Sequence, residues 1–363
     1  MKKHLIFLLL ILAGNSYGQK MSVHWYLPTL DAIQAMNIAK YDLIVLDYEN
    51  KFNNSESIDL IIERNSNAKI LYYWNYVEWF RPMFPDKPWS IKMLAELEKR
   101  PGYWLKQTDK KPLVFWSGME MMNITDYCPK IKGENYREFI TKHLLKDIIS
   151  DPRCQGIFLD NIWATLDWLG KYGKNESIDA NGDGKMDSPA ELNASYLREA
   201  RQFIAEIRKA KGKNFIIITN PINATLLDLV DGKNMENFPD LYLGSTKNGG
   251  WDINMTYADN GKRYNIFNAR ADNLFFTICS AMLLDDVYVS FQQNTFWKDE
   301  YQLNLGKALG KKESEAGSQT IQKREYENGT VIVNATLGKA KIKYRNGTVR
   351  SSFQLETDSA SIK

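Results

Sequence analysis

Two acidic residues occupy positions from which they could act on opposite sides of a substrate. Asp160 directly follows the apolar run 156–159, and Glu236 lies in the segment 231–239, Asp-Gly-Lys-Asn-Met-Glu-Asn-Phe-Pro. A pair of carboxyl groups can cleave a glycosidic bond: one donates a proton to the leaving oxygen, and the other attacks the anomeric carbon or activates water. The residue types therefore indicate hydrolysis of this kind, provided that the fold brings the two side chains together.

Each of these acids also has a structural interpretation. Asp160 could cap a following helix, since Asp is a common N-cap residue, and Glu236 could pair with Arg270 or with a lysine. Asp47 ends the apolar run at 43–48. It could hydrogen-bond a substrate or a neighbouring loop, and the sequence leaves these alternatives open.

Short apolar runs alternate with helix-like stretches over residues 21–308, which we expect to form one domain. The runs that predict strands are 23–27, 43–48, 70–76, 156–159, 215–219, 233–236, 264–268 and 287–291. Strands that alternate with helices favour a parallel sheet with right-handed crossovers. Eight such units in about 275 residues match a (β/α)8 TIM barrel of the α/β class. The alternative is an open, doubly wound sheet, which lacks support because no glycine-rich phosphate loop follows the first run.

The predicted helices lie between these runs. They are 31–39, 57–64, 91–99, 137–150, 194–211, 224–230 and 274–282. A long excursion over 77–126 follows the third strand. The sixth strand is unusually polar because Lys233 and Asn234 stand where apolar residues are expected, so its register is left open.

The barrel prediction converts strand ends into candidate site residues, because side chains just beyond the C-terminal ends of barrel strands line the active site. Asp160 and Glu236 fall on the fourth and sixth strands, which have one strand between them, so their side chains are expected to face each other across the barrel mouth. Aromatic residues make up 12 % of the chain, and many lie at strand ends, which favours a carbohydrate pocket because sugars present C–H faces that stack on flat rings. The predicted substrate-binding residues are Asp47, Trp74, Trp116, Asn161, Trp163, Asn220, Arg270 and Gln292.

Several of these stretches resemble known glycoside hydrolase barrels. Residues 156–161 and 231–239, together with 104–106, 116–118, 122–125 and 324–334, resemble hypothetical glycosyl hydrolase family 15 and the related endo-α-1,4-polygalactosaminidase family. The resemblance covers most of residues 40–336 and implies a (β/α)8 barrel with Asp160 and Glu236 as its acids. The pair is also similar to that of the α-galactosidase clan, where the strand-four Asp is the nucleophile and the strand-six acid is the general acid/base. This second resemblance is one of fold, and neither implies a particular sugar.

The two ends of the chain differ from the barrel segment. After about residue 309, a charged stretch at 311–318 predicts a linker, and alternating runs around the Asn-Gly pairs at 328–329 and 346–347 predict hairpins. We therefore expect a small antiparallel β module at 319–363. At the other end, a basic start, a short apolar run at 5–13 and small residues predict a signal peptide at 1–20. The protein is then exported, to a periplasmic or extracellular location.

The segment 179–187, Asp-Ala-Asn-Gly-Asp-Gly-Lys-Met-Asp, matches the start of a calcium loop. Oxygen ligands recur at alternate positions, and Gly occupies the sixth position of the sharp turn. Ala190 stands at the twelfth position, where a Glu is expected, and Glu191 follows it. The alternative is an ordinary polar surface turn. The predicted ligands of a structural Ca²⁺ are Asp179, Asn181, Asp183, Lys185, Asp187 and Glu191.

Composition excludes several other classes of function. The net charge is +3 with acids and bases interspersed, so no nucleic-acid-binding surface is indicated, and no segment is long enough to span a membrane. The three cysteines, Cys128, Cys154 and Cys279, show no metal-binding spacing, and no cofactor is expected for catalysis.

We therefore expect an exported glycoside hydrolase that degrades a poly- or oligosaccharide with Asp160 and Glu236. A non-catalytic carbohydrate-binding barrel is the alternative, and a surface or scaffold protein is a third interpretation. The carboxyl separation distinguishes the first two, because carboxyl groups more than about 10 Å apart cannot flank one bond.

Overall fold

The computed structural model describes residues 18–166, 169, 177–221, 224–240, 247–303, 305–315, 318 and 321–352. Most of the predicted signal peptide at 1–20, and the part of the predicted β module beyond residue 352, lie outside the described residues. None of the helices in the described part of the chain combines the length and apolar character needed to cross a bilayer.

Eight parallel strands form a nearly closed barrel, which confirms the predicted (β/α)8 fold. In chain order, which is also their order in the sheet, they are β1 (Ser22–Trp25), β2 (Leu43–Asp47), β3 (Lys69–Asn75), β4 (Gly156–Asp160), β5 (Ile216–Thr219), β6 (Gly232–Phe238), β7 (Asn265–Ala269) and β8 (Val287–Phe291). The first and last strands meet through backbone hydrogen bonds from Val289 N to Lys20 O (2.9 Å) and from Asn294 N to His24 O (2.8 Å). The ring of strands is therefore joined at its seam.

Side chains fill the inside of the barrel, as the alternation of residues along each strand requires. The inward-facing cluster consists of Leu43, Val45, Leu71, Phe158, Ile216, Ile218, Ile266 and Tyr288. Outward-facing residues pack against the helices, so the strands are buried on both faces and form continuous apolar runs. Because the interior is filled, substrate can reach only the mouth, where the strands end.

Within the described residues, eight helices accompany the strands. They are α1 (Ala32–Ile38), α2 (Asn50–Asn53), α3 (Ser55–Arg64), α4 (Pro88–Glu98), α5 (Tyr136–His143), α6 (Pro189–Lys211), α7 (Lys247–Ala258) and α8 (Leu274–Met282). Helix α1 begins at a capping box formed by Asp31 and Gln34. Several features differ from the prediction: α5 continues as a π-helical turn, Leu144–Ile148, and a 3-10 turn, Ala224–Leu226, replaces the helix predicted at 224–230. Helices α2 and α7 were not predicted.

The excursion after β3 contains a short two-stranded antiparallel sheet, which we call the entrance ribbon. Its strands are Glu78–Phe80 and Met119–Met121. Arg81 holds the two strands together because its guanidinium pairs with Glu120 (2.8 Å) and lies 4.2 Å from the centre of the Trp104 ring. The entrance ribbon lies beside the mouth, and its residues line part of the site described below.

A separate antiparallel sheet forms the C-terminal module, as predicted. Its five strands are Glu313–Ser314, Ile321–Tyr326, Gly329–Asn334, Lys339–Tyr344 and Val349–Arg350. The first of them lies in the stretch predicted to be a linker. Arg324 attaches the sheet to the barrel: it is 5 % exposed and donates to the carbonyl oxygens of Leu284 (2.7 Å) and Met282 (3.3 Å), just after α8 and at its end.

Candidate active site

Asp160 ends β4 and accepts three hydrogen bonds at the barrel mouth. The Tyr73 hydroxyl donates to Oδ2 (2.6 Å), while the Asn220 side-chain amide (2.7 Å) and the Asn161 backbone N–H (2.9 Å) donate to Oδ1. Residues 161–166 are not helical, and the N-cap of α6 is Ser188. Asp160 is therefore not the cap of that helix, and its hydrogen bonds hold the carboxylate in one orientation.

Glu236 lies in an irregular part of β6. Met235 pairs with Phe267 of β7 and Phe238 pairs with Ala269, so two residues of β6 stand opposite one residue of β7. Such a bulge bends a strand and changes the direction of its side chains, and bulges are frequent beside active sites. The ion pair between Glu236 and Arg270, considered from the sequence, does not form, because Arg270 pairs with Asp240 and Asp272.

The Asn220 amide links the two acids. Its Nδ2 lies 2.7 Å from Asp160 Oδ1 and 3.4 Å from Glu236 Oε2, so the two oxygens are at most the sum of these distances, 6.1 Å, apart. Asn234, buried on β6, donates from its own amide to Asn220 Oδ1 (3.1 Å). That hydrogen bond fixes which side of the Asn220 amide faces the acids. The two carboxyl groups are thus close enough to flank one bond.

Burial dominates the electrostatics of the pair. It raises the pKa of Asp160 above its ordinary value, an effect that the hydrogen bonds from Tyr73, Asn220 and the Asn161 backbone oppose. Burial also raises the pKa of Glu236, and the neighbouring Asp160 charge raises it further, with only the long Asn220 contact acting in the other direction. Hydrogen bonds therefore favour the ionised form mainly at Asp160, so Glu236 is the group better placed to keep a proton.

A cavity of about 440 Å³ adjoins the pair. Asp160 and Glu236 are not among its lining residues, but Tyr73 lines it and also donates to Asp160. The Tyr26 ring, 4.5 Å from that of Tyr73, lines it too. Burial raises the pKa of Tyr26, and the charges of Asp160 and Glu236 raise it further.

Four of the predicted substrate-binding residues lie at this site. Asn161 and Asn220 contact Asp160 directly. Asp47 and Trp74 line the cavity, although both are almost fully buried. Asp47 forms an ion pair with Lys87 of the excursion (2.7 Å), so the contact with a neighbouring loop is observed. Contact of Asp47 with a substrate stays a prediction.

The other four are placed differently. Trp116 is 55 % exposed in the turn of the excursion, and Trp163 is 5 % exposed and packs edge-on against Phe115, 5.3 Å between ring centres. Arg270 is engaged with two aspartates, and Gln292 is exposed just beyond β8. None of the four lines the cavity.

Sequence reasoning missed several residues of the site. The aromatic members, Tyr26 and Tyr73, were counted only as strand-end aromatics, and Asn234 was treated as an anomaly of the sixth strand. Alternation supplies the signal that could have found Asn234, because it lies two residues before Glu236 and so faces the same way. Glu78 and Lys87, from the excursion, carried no such signal.

The calcium-like loop is stabilised by its own backbone. The Asp179 carboxylate accepts hydrogen bonds from the backbone N–H groups of Gly182 (2.8 Å), Asp183 (3.0 Å) and Gly184 (2.9 Å). Glu191 instead accepts from the Ser188 hydroxyl (2.9 Å) at the start of α6. No group of three or more His, Cys, Asp or Glu side chains in the described residues is arranged to hold a metal ion. Calcium binding by this loop stays a prediction.

Comparison with known sequences identifies one family. Residues 63–330 match the sequence model of hypothetical glycosyl hydrolase family 15. No curated protein sequence matches the chain significantly.

Solved structures with a similar fold include three glycoside hydrolases. The glycoside hydrolase domain of PelA from Pseudomonas aeruginosa superposes with a TM-score of 0.48 at 10 % identity, covering 76 % of this chain and 96 % of that one. The GH31 dextranase FjDex31A of Flavobacterium johnsoniae, complexed with glucose, gives 0.48 at 11 % identity, covering 79 % and 38 %. The β-galactosidase of the psychrophilic Marinomonas ef1 gives 0.47 at 11 % identity, covering 76 % and 54 %. The chain thus spans less than two thirds of the last two proteins.

Proposed function

Because the chain belongs to hypothetical glycosyl hydrolase family 15, we propose that it hydrolyses O-glycosidic bonds of a poly- or oligosaccharide with Asp160 and Glu236. Family membership makes the protein a glycosidase by class, and the choice of the two residues is our proposal. The observation that carries it is the Asn220 amide, which lies within 3.4 Å of both carboxyl groups. One polar group thereby fixes two acids over the same opening.

The surroundings of the two acids favour different roles. Asp160 accepts three hydrogen bonds that stabilise its anion, so it is suited to attack the anomeric carbon. Glu236 has one long hydrogen bond, and burial and the Asp160 charge raise its pKa, so it is suited to donate a proton. This division agrees with the expectation from the sequence resemblance.

The separation of the acids favours retention of configuration. Carboxyl groups of retaining enzymes lie about 5–5.5 Å apart and those of inverting enzymes about 6.5–9.5 Å apart. The limit of 6.1 Å, set by the distances of 2.7 Å and 3.4 Å to Asn220 Nδ2, lies below the inverting range.

In a retaining reaction, Asp160 forms a bond to the anomeric carbon while Glu236 gives its proton to the leaving glycosidic oxygen. The Glu236 carboxylate then takes a proton from water, and the water oxygen displaces Asp160 from the anomeric carbon. Both acids return to their starting states, so the net change is the addition of water across one glycosidic bond. No oxidant or reductant is involved.

Location outside the cytoplasm is a further part of the proposal. It rests on the basic start, the apolar run at 5–13 and the small residues that follow. Expression of the full chain in a bacterial host, followed by N-terminal sequencing of the protein outside the cytoplasm, tests this part. A cleaved chain beginning near residue 20 is expected, and an uncleaved chain retained in the cytoplasm would contradict it.

Activity is tested by a reducing-end assay on α- and β-linked glycans, galactosamine polymers included. We expect Asp160→Asn and Glu236→Gln each to lower kcat by a factor of at least 10³, since each removes one participant in bond cleavage. NMR of the first product should show the anomeric configuration of the substrate. Undiminished turnover in both variants would reject the residue assignment, and binding of glycans without any hydrolysis by the wild type would support the carbohydrate-binding alternative.

A further inference from the structure

The cavity beside the carboxyl pair has the composition of a binding site in its own right. We propose that it is a sugar-binding subsite that holds a neutral pyranose ring of the substrate chain, adjacent to the ring whose bond is cut. The inference rests on the proposed function for its position along the substrate. It adds the place where the chain continues, the residues that bind it and the chemical class of the sugar.

The cavity and the carboxyl pair share a wall. Tyr73 donates to Asp160 from its hydroxyl (2.6 Å), and its ring lines the cavity. Glu78 also lines the cavity and accepts hydrogen bonds from the side-chain amides of Asn75 (2.9 Å) and Asn161 (2.7 Å), the latter next to Asp160. The cavity therefore lies next to the carboxyl pair, within reach of the neighbouring sugar ring of a substrate bound there.

Apolar side chains of the entrance ribbon and of the segment after its first strand line part of the cavity. The lining residues in this part are Trp79, Phe80, Met83, Phe84 and Met119. Phe84 is 55 % exposed, and its ring stacks on that of Phe80, with 5.5 Å between centres and 27° between planes. Paired aromatic rings left partly in water at the edge of a cavity indicate a ligand face. The C–H face of a pyranose is apolar, flat and of matching size.

Charged groups in a fixed arrangement also line the cavity. The Asp47 and Lys87 side chains, 2.7 Å apart, both line the cavity, and the exposed fractions of these side chains are 4 % and 26 %. The Asp47 carboxylate can accept further hydrogen bonds, and the Lys87 ammonium has three N–H donors. Adjacent hydroxyl groups of a sugar can then donate to Asp47 and accept from Lys87 at the same time. A lining that combines apolar rings with an acid–ammonium pair is thus complementary to a pyranose, which has apolar C–H faces and hydroxyl groups around its edge.

The balance of charge selects among sugars. The cavity lining contains two carboxyl groups, Asp47 and Glu78, and one ammonium group, Lys87. Asp160 and Glu236 add acidic groups at its border. An acidic cleft repels uronate and sulfated sugars, so the subsite is specific for sugars without negative charge.

Binding by an inactive full-length chain tests the subsite apart from catalysis. In Asp160→Asn, calorimetry measures the Kd of hexasaccharides of α-1,4-glucan, α-1,6-glucan, β-1,4-glucan, β-1,4-mannan and β-1,4-galactan, with hexagalacturonate as the anionic probe. At least one neutral hexasaccharide should bind at least tenfold more tightly than hexagalacturonate. Adding Phe84→Ala or Lys87→Met should weaken its binding about tenfold. Leu337→Ala, which truncates a 63 % exposed side chain in the C-terminal sheet, is the matched control and should leave Kd unchanged.

Melting temperatures verify that each variant is folded, and Phe84→Ala, an exposed position, keeps the test valid if Lys87→Met is unstable. Equal Kd values for the parent and Phe84→Ala, tighter binding of the anionic probe, or no binding of any hexasaccharide would overturn the subsite. The proposed function fails separately: if the inactive chain binds as expected while the wild type hydrolyses none of the probes, the subsite stands and the catalytic assignment falls. If the wild type hydrolyses a probe and Phe84→Ala has the same KM for it, the proposed function stands and only the subsite is refuted.

Discussion

Removing the Tyr73 hydroxyl should change how activity depends on pH. Tyr73→Phe deletes the donor 2.6 Å from Asp160 Oδ2 and leaves the other two hydrogen bonds to this carboxylate in place. The hydroxyl stabilises the ionised form of Asp160, so its loss raises the pKa of that group. Since Asp160 attacks only when ionised, activity will be lost at a higher pH on the acid side of the profile.

The size of the effect follows from the energy of one charge-assisted hydrogen bond. Such a bond contributes about 1.5–3 kcal/mol, and about 1.36 kcal/mol corresponds to one pH unit. The acid limb of kcat/KM should therefore move up by about one to two pH units. Below this limb the variant should be about 10- to 100-fold slower than the wild type, and near the alkaline end the two should converge.

Tyr72→Phe is the matched control. Tyr72 is the neighbouring residue of β3 but faces the other way, and its hydroxyl donates to Asp151 (2.8 Å), remote from the mouth. This variant loses the same kind of hydrogen bond to a buried acid, so it should lose stability without moving the acid limb. The measurement is kcat/KM from about pH 3 to pH 9 on one substrate. An unmoved limb in Tyr73→Phe, or an equal movement in Tyr72→Phe, would refute the reasoning.

Three further predictions address orientation, stability and metal binding. Asn234→Ala frees the Asn220 amide, and loss of about 1–1.5 kcal/mol of hydrogen bonding should lower kcat about tenfold with little change in KM; a change in KM alone would contradict this. Glu236→Gln should raise the melting temperature at pH 7 but not at pH 4, because a carboxyl group whose pKa is raised on folding destabilises the fold as pH rises above its unfolded value. An equal difference at both pH values would argue against it. Calcium at a hundredfold excess over Kd should stabilise the wild type by about 2.7 kcal/mol and leave Asp179→Ala unaffected; a wild-type melting temperature independent of calcium would exclude the site.

The parts of the fold with strong local patterns were predictable. Every barrel strand was located to within a few residues, and all but the polar sixth strand read as short apolar runs because they are buried on both faces. Helix α7 was not predicted: it begins Lys-Asn-Gly-Gly, and glycine disfavours helix formation, so tertiary structure rather than local preference decides there. The entrance ribbon was also not predicted, because a three-residue strand is too short to show an alternation of apolar and polar residues.

The sixth strand shows why composition misleads at a site. Lys233 made its register uncertain, yet its side chain points outward, where the ammonium lies 4.4 Å from the centre of the Tyr257 ring and donates to the Tyr257 carbonyl oxygen (3.2 Å). Asn234 points the other way, to Asn220. Both polar residues have partners supplied by distant parts of the chain. The strand-end rule therefore suffices to propose Asp160 and Glu236 as candidates, while the groups that orient them depend on contacts that one sequence does not reveal.

The attachment of the C-terminal sheet has a consequence for how the molecule unfolds. Arg324 donates hydrogen bonds to carbonyl groups at and just after the end of α8, where the last carbonyl groups of a helix have no partner within the helix. Val331, Val333 and Ile342 of the sheet belong to the same continuous apolar cluster as the barrel residues. The two parts are thus thermodynamically coupled, and the folded chain should melt in a single cooperative transition. Because Arg324 attaches the sheet at the end of the barrel where the strands begin, this coupling does not involve the mouth at the opposite end.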